Sequence, residues 1–235
     1  MRVRYFNIVM VFILIIVIVF GFQQYLIKQR YESYLSLQVA NDMSKLYSAV
    51  FNNKQIYEKI ISSETISLKQ AEQLYNNNYS IVRVTQEYQE LALQLKRVEM
   101  SELGNLPASN AGSIAFFFRL LIWDIAGKEG ISDSHYAFNL PYELPPSKHY
   151  KLESEELGKI VKVKELNDAW TNAFVQNIEG VSNEGKFDSE LYYEAYREKG
   201  ITHDFWSEVV KDMDIKTDRY LKSNNHIGNI KSLLY

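Results

Sequence analysis

The chain has 235 residues, 23% of them charged, with a net charge of −3 and no cysteine. Arg2, Arg4, Lys28 and Arg30 stand in the first thirty residues without an acid, which leaves −7 for residues 31–235. That sign disfavours nucleic-acid binding, which rests on neutralising phosphates, and the missing cysteine excludes disulfides, thiolate metal sites and lipoprotein attachment. With only ten Gly and four Pro, the punctuation of an all-β fold is lacking, so an all-α fold is expected.

Residues 6–22 include only Asn7 and Gly21 outside the apolar set. As a helix this run measures roughly 26 Å, close to the ~30 Å hydrocarbon core of a bilayer once Tyr5, Leu26 and Ile27 are added at its edges. Residues 6–27 are therefore read as a transmembrane anchor, with Phe6, Phe12, Ile16, Phe20 and Phe22 toward lipid, and residues 1–5 as a cytoplasmic tail. A cleaved signal peptide is the alternative, with Arg2 and Arg4 as its basic end and Val19-Phe20-Gly21 before the cut. The run is longer than the about 7–15 residues of such a segment, which favours the anchor. Basic residues nearly balance across it, and the short leading tail places the large domain extracytoplasmic. No acidic residue lies within the run and no processing site precedes it, which excludes a prepilin.

Residues 28–104 read as a helical hairpin forming a stalk. Leu35, Val39, Met43, Leu46, Val50, Tyr57 and Ile60 recur at helical spacing, and Asn53 occupies the missing place in the stripe. The pattern breaks over residues 62–67, and Ser67 with Gln70 makes a capping box for a second helix. There Leu74, Asn77, Ile81, Val84, Tyr88, Leu91 and Leu95 alternate at three and four, a coiled-coil-like seam. Gly104 and Pro107 are the expected stop. The short connection favours an antiparallel pair packing within one chain; a homodimer through the same seam is the alternative.

Residues 105–235 read as a compact helical lobe. Residues 113–126 are apolar nearly all round, the mark of a helix buried on every side. Residues 128–153 hold Pro141, Pro145 and Pro146 and form a long loop. Three helices follow: one opened by Ser154 and running to Gly180, one capped by Asp188 and ending at Gly200, and one capped by Thr202 and running to about Lys222. The apolar tail is expected to pack back on the lobe.

Candidate chemistry is sparse. Gly180, Gly185 and Lys186 meet the spacing of a phosphate-binding loop, but Phe187 stands where Ser or Thr must reach Mg²⁺, and Glu184 would face the phosphates. A turn between helices is the simpler account. His135, His149, His203 and His226 lack metal-ligand spacing. Asp212, Asp214 and Asp218 resemble a calcium loop, yet Thr217 and Ser223 occupy the places of its Gly and Glu. Asp212 with Lys216 and Asp218 with Lys222 instead suit ion pairs along a helix face. No catalytic residue, cofactor, nucleotide or metal is expected. The reading reached is a membrane-anchored interaction or sensing module for a protein or peptide partner, with the stalk holding the acidic lobe away from the bilayer. The alternative is an extracytoplasmic hydrolase with a carboxylate-based site between residues 132–147 and the last two helices.

Overall fold

The computed structural model describes residues 2–128, 148–182, 186–225 and 229–235, and they form an all-α fold with seven α-helices. Helix α1 (Arg2–Ser63) is a single unbroken element. Gly21 is its one glycine and no proline interrupts it, so the apolar segment continues directly into the amphipathic stretch. From Val39 onward the stripe is inside: Val39, Met43, Leu46, Val50, Tyr57 and Ile60 are all buried.

The chain reverses at Glu64, which takes a positive φ of 52°. Residues expected as an irregular break then form β1 (Thr65–Ser67), paired antiparallel with β2 (His149–Lys151), Ile66 opposite Tyr150. Three residues per strand are too few for an alternating pattern to show in sequence; fully buried Ile66 ties the pair to the core. The capping box is present. Ser67 Oγ accepts from the Gln70 amide at 3.2 Å and Gln70 Oε1 accepts from the Ser67 amide at 2.8 Å.

Helix α2 (Leu68–Gln94) runs back along α1 and ends ten residues before Gly104. Its stop is a Schellman motif: the Arg97 amide donates to Ala92 O (2.8 Å) and the Lys96 amide to Leu93 O (3.1 Å), with Lys96 at φ 54°. A lysine in the place usually taken by glycine hid this end from sequence. Gly104 and Pro107 belong instead to the start of α3 (Leu106–Lys128). There Asp214 accepts the amides of Gly104 (2.9 Å) and Leu106 (2.8 Å).

Helix α3 packs mainly along α2, where Gly112 faces Val82. Helix α4 (Ser154–Asn177) lies on α1 and is capped by Glu153 rather than Ser154; Glu156 Oε2 accepts the Glu153 amide at 2.9 Å. Asp188 caps α5 (Ser189–Tyr196) as expected, accepting from Leu191 at 3.0 Å. Helix α6 (Phe205–Ser223) follows Asp204, and Thr202 remains outside it. Helix α7 (Lys231–Leu234) returns the tail onto α3, with the Ile230 amide on Asn110 Oδ1 at 2.6 Å and Tyr235 Oη donating to Ser113 O at 2.9 Å.

One continuous apolar core contains side chains of α1, α2, α3, α4, α5, α6 and α7. The hairpin therefore does not stand apart as a stalk. Its two helices supply one wall of the domain, because α2 buries a face against α3 as well as against α1.

Candidate functional site

The candidate membrane-contacting residues are laid out along α1. Phe6, Phe12, Ile16, Phe20 and Phe22 are 53–64% exposed, and no residue of the most apolar window of α1 is buried in the protein. Helix α3 is the only other described helix long and apolar enough to cross a bilayer, and more than half of its corresponding window is buried in the core. The first is a candidate transmembrane helix; the second is a core helix. Exposing so long an apolar surface to water is costly, at roughly 25 cal/mol per Å².

The expected seam is formed within the chain. Leu74, Ile81, Val84 and Tyr88 are buried, and Asn77 donates through Nδ2 to Asn53 Oδ1 at 2.9 Å. Tyr88 Oη donates to Asp42 Oδ2 at 3.2 Å, and burial together with that carboxylate pushes the phenol well above its ordinary pKa. Leu91 is half-buried on the α1 side, whereas Leu95 is 46% exposed because the Schellman stop ends the helix at that point.

The end of the domain nearest the apolar segment is assembled from distant parts of the chain. Tyr192 Oη donates to Ala40 O at 2.7 Å and Tyr193 Oη to Asn41 Oδ1 at 2.9 Å, fixing α5 across α1. The Ile201 amide donates to Ser36 Oγ at 3.1 Å. Gly200 sits against the same turn of α1: a Cβ there would lie 2.7 Å from Ser36 O. Arg97 at the end of α2 pairs with Asp204 and donates to Thr202 O at 3.2 Å. These contacts bring the 197–204 segment beside residues 30–37 of α1. A concavity of 460 Å³ results, lined by Arg30, Ser33, Tyr34, Leu37, Arg197 and Glu198. The contact spans more than 160 residues of sequence, and no local pattern around Arg197 signals it.

At the opposite end, beside β2, a cleft of 240 Å³ includes Asp124, Lys128, His149, Lys151 and Glu156. Both carboxylates have structural partners. Asp124 pairs with Lys128 at 2.6 Å and Glu156 closes the α4 cap. Residues 132–147, where the hydrolase reading placed one wall of its site, lie outside the described residues.

The remaining candidates have ordinary roles. Asp212 pairs with Lys216 at 3.3 Å and Asp218 with Lys222 at 2.7 Å, as the spacing predicted, while Asp214 caps the start of α3. Among the described residues no cluster of three or more His, Asp or Glu is arranged to hold a metal. The described residues on either side of 183–185 are joined by a Val181–Phe187 bridge and by the Asp188 amide, which donates to Gly180 O at 2.8 Å. Gly180 has φ 86°, and a Cβ on it would lie 2.8 Å from Asp188 O, so the position suits glycine for its backbone conformation and close approach. Glu184 and Gly185 lie outside the described residues, as do His135 and His226.

No protein-family model, curated protein sequence or solved structure matches the chain.

Proposed function

We propose that the protein is a single-pass, membrane-anchored helical module whose extracytoplasmic domain engages a protein or peptide partner in an interaction or sensing role. The observation that supports it is the continuity of α1, one 62-residue helix with an unburied apolar segment at one end and core residues at the other. At ~1.5 Å per residue it spans roughly 93 Å, so a shift or rotation of the anchor is passed directly into the domain core. Ser36, the first buried residue after Ile27, lies about 14 Å along the axis from it. The headgroup layer is about 5–7 Å deep on each face, so on this reading the domain rests close to the bilayer instead of being held away from it.

Alkaline extraction followed by protease treatment of intact cells tests this. The full-length chain should resist extraction, and its domain should be digested from outside. A released product beginning near Phe22 would show a cleaved signal sequence, and a domain protected until lysis would reverse the orientation. The alternative reading is an extracytoplasmic hydrolase with a carboxylate-based site between residues 132–147 and the last two helices; hydrolytic activity of the purified chain on peptide or glycan substrates would favour it.

A further inference from the structure

The concavity lined by Arg30, Ser33, Tyr34, Leu37, Arg197 and Glu198 has the chemistry of a phospholipid headgroup site, an inference that rests on the membrane-anchoring reading. Arg30 lies three residues past Ile27, about 4.5 Å along the helix axis, which places it within the headgroup layer. Among the described residues neither Arg30 nor Arg197 is engaged in an ion pair, although Lys28, beside Arg30, is paired with Glu32 at 3.5 Å. Two unpaired guanidiniums facing one cavity suit a phosphodiester, which each can hold through charge-assisted hydrogen bonds.

Arg197 is not there by accident of a loose loop. The Gly200–Ser36 approach, the Ile201–Ser36 hydrogen bond and the two tyrosine bonds from α5 hold its backbone against α1. Tyr34 is 68% and Leu37 38% exposed, offering an apolar wall beside the charged groups. Tyr25, Tyr31 and Tyr34 are all exposed on this stretch, the residue type favoured at the membrane interface. Glu198 is the one acid of the lining, and it suits a headgroup that carries an amine. We infer that this concavity binds a phosphatidylethanolamine-type lipid, its phosphodiester between Arg30 and Arg197 and its ammonium on Glu198.

The full-length chain is placed in phosphatidylcholine nanodiscs doped with either phosphatidylethanolamine or phosphatidylglycerol, and retained lipid is counted by native mass spectrometry. Wild type should retain phosphatidylethanolamine preferentially. Arg30→Gln and Arg197→Gln should each weaken retention about tenfold, and Glu198→Gln should abolish the preference for ethanolamine over glycerol. Unchanged circular dichroism establishes that the variants are folded; Arg197→Lys, which keeps the charge, should retain part of the binding. Retention unaffected by both arginine changes would overturn the inference, as would equally tight binding of soluble phosphoethanolamine by the detergent-solubilised chain. If the site fails while the chain remains in the membrane fraction, only the lipid site is lost. If the chain leaves that fraction, the anchoring reading and the site fall together.

Discussion

Asn77 Nδ2 donates to Asn53 Oδ1 at 2.9 Å, joining the one polar member of the α2 stripe to the one polar member of the α1 stripe. Eleven residues further along both helices, Tyr88 meets Asp42 in the same antiparallel register. A polar pair inside an apolar seam is satisfied in one alignment only, because a slip by a helical turn would bury each amide against hydrocarbon. The pair thus selects the register of the hairpin.

Replacing Asn77 with Leu leaves fully buried Asn53 without its remaining partner, since Asn53 Nδ2 already has none among the described residues. The expected loss is about 1–3 kcal/mol. Adding Asn53→Leu should recover much of it, because removing both polar groups avoids an orphan. Chemical unfolding of the four chains, followed by tryptophan fluorescence, measures the coupling; additive losses would deny the pair any role in register.

Trp170 and Trp206 are both fully buried but differ in one respect. Trp170 Nε1 donates to Thr217 Oγ1 at 2.8 Å, whereas Trp206 Nε1 has no partner among the described residues. Both changes to Phe remove similar volume, so Trp170→Phe should be the more destabilising by about 1 kcal/mol. Equal midpoints in denaturant would mean that the indole hydrogen bond contributes nothing net.

Gly200→Ala tests the clamp between the 197–204 segment and α1. The added methyl would meet the carbonyl oxygens of Ser36 and Tyr196, each 2.7 Å away, and neither can move as a side-chain tip would. Overpacking of this kind costs about 1–3 kcal/mol. Hydrogen exchange should show faster opening at the Ile201 amide, which bonds Ser36, with the amides of the α2–α3 contact unaffected. Uniform protection would refute the clamp.

Asp214 gives the fold a pH dependence. Burial raises its carboxyl above the usual range, outweighing the opposing effect of the Gly104 and Leu106 amides. With the folded value above the unfolded one, the folded state holds the proton more tightly. The group's contribution is therefore complete below about pH 4 and is lost as pH rises through the folded value. Asp214→Asn does not titrate, so any stability advantage of wild type over this variant should shrink as pH rises from about 4 toward neutrality. An advantage that grows over that interval would show that the amide bonds dominate.

Much of the fold is legible locally. The α1 stripe from Val39 onward, the capping box of Ser67 and Gln70, the Asp188 cap and the two aspartate–lysine pairs on α6 all depend on neighbours within a few residues, and all are present, while Leu35 at the head of the stripe is 40% exposed. Boundaries went astray where the deciding residue breaks the usual preference. Lys96 takes the left-handed position at the end of α2, and Glu153 acts where Ser154 was expected.

The sequence by itself determined that the chain is helical and that one apolar segment is long enough for a bilayer, because both follow from periodicity and composition along a continuous stretch. Tertiary structure decided the rest. It fused the hairpin with the later helices into one core, since only the assembled bundle reveals that α2 has a second face to bury, against α3. It also brought Arg197 beside Arg30, through the contacts of Gly200 and Ile201 with Ser36. A concavity made by residues this far apart in the chain leaves no spacing to read, because its geometry exists only once the helices have packed.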